Sequence, residues 1–207
     1  MTLEAVILDV DGVLTRTAAQ HERAWKRLFD AALRRAGDAR PFSHAEYREY
    51  VDGKPRKDGL RDLLAARGVA ASEDEIEALA ASKDRMFREL LAREGVEVFP
   101  DAVRQVDAWR RAGVPVAFVS SSRNARRVLR AGGLDHLCDV RVDGLTAAEE
   151  GLHGKPDLLR AAAERLGVAP ARTAVVEDAV AGVDAAAGLG FGLIVGVARA
   201  GGGDALR

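Results

Sequence analysis

The chain has 207 residues, of which 48% are hydrophobic and 30% are charged, and its formal net charge is −1. This composition is typical of a folded globular protein and excludes a disordered chain. The balanced charge gives no reason to expect nucleic acid or an acidic membrane surface as a partner.

The sequence also shows no segment typical of export or of membrane insertion. The N-terminus has no basic stretch followed by an apolar run of signal-peptide length, and no apolar run approaches the roughly 20 residues that span a bilayer. We therefore expect a cytoplasmic protein without a membrane partner. The only cysteine, Cys138, has no neighbouring base or metal ligand in the sequence and is expected to be a small core residue.

Short apolar runs recur along the chain and predict buried strands. A continuous run of this length is typical of a strand buried on both faces, as in a parallel sheet. The repeated order of strand, polar turn and helix predicts an α/β fold with a doubly wound parallel sheet. The predicted strands are residues 3–8, 114–119, 173–176 and 191–195.

Between the first two predicted strands the sequence has helical periodicity and no convincing strand. Ser72, with Glu75 three residues later, forms a capping-box pattern that supports a helix start. The predicted helices are residues 18–36, 56–67, 72–94 and 101–112.

This change from short apolar runs to helical periodicity predicts two domains. We expect an α/β core of residues 1–15 and 96–207, with a helical domain of residues 16–95 inserted into it. The glycine-rich residues 200–203 are expected to form a flexible or turn segment.

Acidic residues follow two of the predicted strands. Asp9 and Asp11 come at the end of the first strand, and Glu177 and Asp178 follow the strand at 173–176. Residues beyond the carboxyl ends of parallel strands converge at one edge, where ligands bind. A lone aspartate there would more simply cap a turn, but two acidic clusters repel each other unless a cation lies between them. An all-oxygen site with few protein ligands suits Mg²⁺.

Residues suited to phosphate binding follow later in the chain. Ser120 and Ser122 lie at a strand-to-helix turn, where hydroxyls and backbone N–H groups can hold phosphate oxygens. Lys155 adds a positive charge. Read alone, the serines would be a loop with a helix cap and Gly-Lys-Pro a helix start, but their order after the acidic strand favours a phosphate site.

These motifs together resemble the haloacid dehalogenase superfamily, and within it the β-phosphoglucomutase-like phosphatases and phosphomutases. The stretch Asp9-Val-Asp11-Gly12-Val13-Leu14-Thr15 matches the DxDG(V/I)xT motif, and Ser120, Lys155 and Glu177-Asp178 follow in the family's order. The resemblance covers most of the chain, because Thr17, His21, Ala24-Trp25 and Gly53-Lys-Pro-Arg56 also match the sugar-phosphate branch. It implies a Rossmann-like core with a small α-helical cap.

The resemblance implies a role for each motif. Asp9 would attack phosphorus and become an aspartyl phosphate, and Asp11 would protonate the leaving oxygen. Ser120 and Lys155 would stabilise the equatorial oxygens. The implied Mg²⁺ ligands are Asp9, Asp11 through its backbone carbonyl, Glu177 and Asp178.

The resemblance also implies a set of substrate-binding residues. In the family an arginine at the place of Arg56 binds a second phosphate, although the sequence alone fits a solvated arginine at a helix start equally well. The expected substrate-binding residues are Gly12, Thr17, His21, Trp25, Gly53, Arg56, Ser121, Ser122 and Asn124.

Two departures from the family pattern bear on the reaction. Arg16 replaces the acidic residue usual after the first motif, and Asp52 stands where some mutases carry a basic residue. We therefore expect a phosphatase acting on a small sugar phosphate, ahead of a mutase acting on β-glucose 1-phosphate. We expect a monomer. A receiver-like signalling module would group similar residues, but the large helical insertion argues against it.

Overall fold

The computed structural model describes residues 2–199, and its strands form one parallel sheet. Within these residues the sheet has five strands in the order β3-β2-β1-β4-β5, and every neighbouring pair is parallel. The predicted doubly wound α/β fold is confirmed. The strands are β1 (Ala5–Asp9), β2 (Val116–Ser120), β3 (Val140–Asp143), β4 (Thr173–Glu177) and β5 (Leu193–Gly196).

Helices surround the sheet and make up the insertion. A π-helical turn covers Tyr47–Val51, and short 3₁₀ turns cover Asp135–Leu137 and Pro170–Arg172. The α-helices are α1 (Thr17–Arg35), α2 (His44–Glu46), α3 (Arg56–Ala66), α4 (Glu73–Glu94), α5 (Pro100–Arg111), α6 (Ala125–Ala131), α7 (Gly144–Glu150), α8 (Gly154–Leu166) and α9 (Val180–Gly188).

The central strands are apolar between their end residues because both of their faces are covered. Ile7 of β1 and Val175 of β4 are fully buried, and they share one hydrophobic cluster with Leu159 and Ala162 of α8. This burial explains why β1, β2 and β4 have continuous apolar runs instead of alternation. It also makes the sheet a rigid support for the residues at the carboxyl ends of its strands.

The insertion forms a unit with its own core. The chain divides between Thr17 and Ala18 and again between Gly95 and Val96. Within the helical unit the predicted capping box is confirmed, because the Ser72 hydroxyl accepts the Glu75 N–H while the Ser72 N–H donates to the Glu75 carboxylate. The core of this unit includes Trp25, Phe29, Leu60, Leu63 and Ile76.

The strand β3 and the segment 44–51 were not predicted from the sequence. The run Val140-Arg-Val-Asp143 has only two apolar residues and alternates with charged ones, because β3 lies at the edge of the sheet and needs little apolar surface. The predicted tail at 200–203 lies outside the described residues. No helix in the described part of the chain has both the length and the apolar composition of a membrane span.

Candidate active site

The last residues of three adjacent strands bring polar side chains together at the carboxyl-terminal end of the sheet. Asp9 ends β1, Ser120 ends β2 and Glu177 ends β4. All three are buried, with exposed fractions of 7%, 2% and 1%. Because neighbouring parallel strands end together, residues far apart in the sequence lie side by side here.

Lys155 connects two of these carboxylates. It lies in the first turn of α8, and its Nζ contacts both Asp9 Oδ1 and Glu177 Oε1. Burial lowers the pKa of Lys155, but the charges of Asp9 and Glu177 outweigh this effect and raise it above its ordinary value. The lysine is therefore a fixed cation between two buried carboxylates.

The pKa of Asp9 is raised well above its ordinary value. Burial is the main cause, and the charges of Glu177 and Asp11 add to it, whereas Lys155 acts in the opposite direction. Burial and the neighbouring carboxylates thus disfavour the ionised form of Asp9. An additional cation would stabilise its ionised form.

The same end of the sheet has a group of oxygen ligands suited to such a cation. One carboxylate oxygen each from Asp9, Glu177 and Asp178 lie within 4.8 Å of one another. All donors are carboxylate oxygens, which is the donor type that Mg²⁺ prefers, and one lysine does not neutralise them. The residues present therefore fit Mg²⁺. The Asp11 side chain is not part of this group, so its implied contribution is limited to the backbone carbonyl.

Hydroxyl groups hold the Asp11 carboxylate on both sides. The Thr17 hydroxyl donates to Asp11 Oδ1 at 2.5 Å, and the Ser120 hydroxyl donates to Asp11 Oδ2 at 3.0 Å. The Thr15 hydroxyl lies 2.6 Å from that of Thr17 and 3.1 Å from the Val10 carbonyl. Thr17, expected to bind substrate, thus orients Asp11 in this structure. A hydroxyl can accept or donate, so this arrangement can hold Asp11 with or without its proton.

Two glycines allow the acidic side chains to approach the backbone closely. Gly12 has φ +98°, and a Cβ there would lie 1.7 Å from Asp178 Oδ2. A Cβ at Gly182, in the first turn of α9, would lie 2.2 Å from the Glu177 carboxyl carbon. Gly12 was predicted from the motif, whereas Gly182 was not, since a glycine in a helix carries no sequence signal for such a contact.

The Gly12→Ala variant should lose activity because the new methyl group would displace Asp178 and strain the backbone. We expect kcat/KM for p-nitrophenyl phosphate at saturating Mg²⁺ to fall by at least about 100-fold, the scale of a 1 Å misplacement in an active site. Gly188→Ala is the matched control, because among the described residues beyond its own helix and chain neighbours no atom lies within 4 Å of a Cβ at that position. Activity of Gly12→Ala within about 3-fold of the parent would contradict the role of this close approach.

The predicted phosphate-binding serines form a tight loop after β2. The Ser122 N–H donates to the Ser120 hydroxyl at 3.0 Å, and the Asn124 N–H donates to the Ser122 hydroxyl at 3.1 Å. Asn124 is buried, and Ser121 makes a close approach to Gly144. The structure therefore brings Ser120, Ser121, Ser122 and Asn124 together in one turn beside Asp11.

The remaining predicted residues, His21, Trp25, Gly53 and Arg56, belong to the helical unit. His21 stacks on Phe87 with ring centroids 3.8 Å apart, and its Nδ1 lies 2.5 Å from Lys83 Nζ. Within this unit Arg56 donates to Asp84 at 2.9 Å.

Lys83 is a buried cation that the sequence reasoning missed. Its exposed fraction is 2%, and its Nζ lies 5.0 Å from the centroid of the Trp25 ring. The helical spacing of apolar residues in the sequence could have revealed it, because Lys83 shares the buried face of α4 with Ile76, Ala80, Phe87 and Leu91. A charged residue on an apolar helix face points to a functional or paired group.

Comparisons with known proteins identify the family and several relatives of this chain. The sequence pattern of the haloacid dehalogenase-like hydrolases matches residues 3–190. The chain is 42% identical to a β-phosphoglucomutase of Mycobacterium bovis, over 96% of this chain and 82% of that protein. It is 31% identical to a phosphorylated carbohydrates phosphatase of Thermotoga maritima, over 94% of this chain and 85% of that protein.

A comparison of solved structures gives the same fold. The crystal structure of a β-phosphoglucomutase from Clostridium difficile superposes with a TM-score of 0.81. The two chains are 24% identical, and the match covers 94% of this chain and 84% of that one. The sheet and its helices are therefore those of a known architecture.

Proposed function

The chain belongs to the haloacid dehalogenase-like hydrolase family, and on this basis we propose that it transfers the phosphoryl group of a sugar phosphate through an aspartyl phosphate on Asp9. The observation that carries the proposal is the meeting of Asp9, Lys155 and Glu177 at the ends of β1 and β4. A nucleophilic carboxylate beside a fixed cation and an acidic metal site suits attack on a phosphate dianion.

In the proposed first step, an Asp9 oxygen attacks phosphorus and the bond from phosphorus to the sugar oxygen breaks. Asp11 gives a proton to the leaving oxygen, and the hydroxyls of Thr17 and Ser120 keep its carboxyl group in place. Lys155 orients Asp9 and stabilises charge on the equatorial oxygens. Mg²⁺, held by Asp9, Glu177, Asp178 and the Asp11 backbone carbonyl, would neutralise the phosphate so that a negative nucleophile can approach.

We propose that the helical unit is the cap that selects the sugar. This rests on the family resemblance and on His21, Trp25, Gly53 and Arg56 at the matching places. The Lys83 ammonium beside His21 adds a positive charge to that group of residues. A guanidinium and an ammonium suit a substrate with more than one anionic group.

Two outcomes of the second step are candidates. The similarity to β-phosphoglucomutases over almost the whole chain favours transfer to a second hydroxyl, which would convert β-glucose 1-phosphate into glucose 6-phosphate. Arg16 and Asp52, which depart from the mutase pattern, favour hydrolysis, as does the similarity to a carbohydrate phosphatase. On the similarity to β-phosphoglucomutases we propose the mutase reaction ahead of hydrolysis, whereas the sequence patterns alone favoured the phosphatase.

One experiment separates the two. The protein is given β-glucose 1-phosphate with Mg²⁺ and a trace of glucose 1,6-bisphosphate, and glucose 6-phosphate and free phosphate are measured together. Glucose 6-phosphate in excess supports the mutase, and free phosphate in excess supports the phosphatase. A stable acyl phosphate without turnover would instead indicate the receiver-like module.

The Thr17→Val variant tests the proposed role of Asp11 as proton donor. Loss of the Thr17 hydroxyl should misplace Asp11, and we expect sugar-phosphate turnover to fall by about 10- to 100-fold, part of what a general acid contributes. Turnover of p-nitrophenyl phosphate should fall much less, because p-nitrophenolate leaves without a proton. Equal losses on both substrates would argue against this role.

Thr173→Val is the matched control for that variant. Thr173 is also fully buried, and its hydroxyl donates to the Ala169 carbonyl at 3.1 Å, at the opposite end of β4 from Glu177. Its removal should lower thermal stability without changing the ratio of the two activities.

A further inference from the structure

The carboxylate of Asp143 accepts hydrogen bonds from the start of α7 and from Arg126 of α6. Asp143 ends β3, and its exposed fraction is 1%. Its Oδ1 accepts the backbone N–H groups of Leu145 at 3.0 Å and Thr146 at 2.9 Å, which caps the start of α7. Its Oδ2 accepts Arg126 Nε at 2.8 Å. Arg126 Nη2 also donates to Asp143 Oδ1 at 3.5 Å and to the Thr146 hydroxyl at 3.4 Å, so Arg126 joins α6 to this cap. A second arginine, Arg141, lies with its Nε 3.5 Å from Asp143 Oδ2.

Asp143 is connected to both ends of the serine loop, to the start by its backbone and to the segment after the end by its side chain. Arg126 lies in the first turn of α6, directly after the loop of residues 120–124. Ser120, at the start of the loop, is paired with Asp143 in the register of β2 and β3. The end of β3 therefore holds the loop at its beginning through the sheet and just after its end through Arg126.

The middle of the loop rests on the backbone of Gly144. The Gly144 N–H donates to the Ser122 carbonyl at 3.3 Å. A Cβ at Gly144 would lie 2.6 Å from the Ser121 carbonyl oxygen and 2.8 Å from the Arg123 nitrogen. Both are backbone atoms, so the loop would have to move if any side chain were placed there.

We propose that Asp143, Gly144 and Arg126 are positioning residues that hold the Ser120–Asn124 loop in the shape that binds the phosphate of the substrate. The inference rests on the proposed function, because it concerns the same phosphate site. None of the three is in the family motifs quoted above, and Asp143 acts on the end of the loop through Arg126. A loop fixed at both ends and along its middle is preorganised for an anion, so less binding energy is spent on ordering it.

The test uses the full chain with inorganic phosphate as the probe, since phosphate binding does not require turnover. We expect Arg126→Gln to weaken phosphate binding in calorimetry and to raise KM for p-nitrophenyl phosphate, each by roughly 10-fold, with a smaller effect on kcat. Arg126→Lys keeps the positive charge near Asp143 and should recover part of the loss. Gly144→Ala should weaken phosphate binding as strongly as Arg126→Gln.

The controls are Arg130→Gln and Gly188→Ala. Arg130 lies on the same helix with a side chain that is 81% exposed and 3.6 Å from Asp135, and Gly188 has space for a methyl group. Both variants should bind phosphate like the parent. If Arg126→Gln and Gly144→Ala lower only the melting temperature and leave phosphate affinity unchanged, the three residues are purely structural and the inference is wrong.

Failure of the proposed function has a different signature. In that case the parent would bind phosphate without turning over any sugar phosphate, and the effect of Arg126→Gln on phosphate binding would still support or overturn the positioning role. A parent that does not bind phosphate would overturn both.

Discussion

The Asp9→Asn variant should have no measurable phosphoryl-transfer activity. The amide is a poor nucleophile and cannot form the acyl phosphate, so we expect kcat to fall by at least about 10⁴-fold, as happens when a covalent nucleophile is removed. The measurement is phosphate release from p-nitrophenyl phosphate, together with mass spectrometry of the acid-quenched enzyme. The parent should gain the mass of one phosphoryl group during turnover, and the variant should not.

Asp101→Asn is the control for this substitution. Asp101 is in the first turn of α5 and pairs with Arg199 at 2.6 Å on the surface. Its loss should leave kcat unchanged, since an exposed ion pair contributes little. If Asp9→Asn turned over as fast as the parent, a covalent mechanism on this residue would be excluded.

The Lys155→Met variant should lose both activity and stability. Methionine removes the cation that lies between Asp9 and Glu177, and an uncompensated buried charge of this kind costs about 3–5 kcal/mol. We expect the free energy of unfolding in the absence of Mg²⁺ to fall by about that amount, measured by urea denaturation. Activity should fall as well, because Asp9 loses its orientation.

Mg²⁺ should stabilise this variant more than it stabilises the parent. A divalent ion at the carboxylates of Asp9, Glu177 and Asp178 would replace part of the lost charge, so the melting temperature should rise more steeply with Mg²⁺ concentration. Lys26→Met is the control, because Lys26 is half-exposed in its pair with Asp30 and should change stability by less than about 1 kcal/mol. Equal stability of Lys155→Met and the parent would contradict the stabilising role of this buried cation.

Apolar patterning predicted most of the fold. The runs that became β1, β2 and β4 were recognised because strands buried on both faces need long apolar runs. The run at 191–195 also became a strand, but its predicted burial was wrong, because β5 lies largely exposed at the edge of the sheet. The strand β3 was missed because an edge strand with Arg141 in its middle carries no such signal. The helical insertion was visible in its periodicity and in the Ser72 capping box, whereas the short segment at 44–51 was too irregular to predict.

The motifs predicted which residues form the candidate site but not how those residues are held. Asp9, Lys155 and Glu177 were predicted as one site and lie in direct contact. Thr17 was predicted to bind substrate, and the structure adds its hydrogen bond to Asp11. Lys83 was not predicted at all, although it lies against His21 on the apolar face of α4.

The sequence by itself determined the fold class, the family and the residues of the phosphoryl-transfer motifs, because these depend on local patterns of residue type and spacing. The tertiary structure decided which charged side chains form ion pairs and which hydroxyls orient Asp11. It also decided why Gly12, Gly144 and Gly182 have no room for a side chain. Those features arise where strand ends and helix starts meet. Such contacts join residues far apart in the chain, and no local pattern records them.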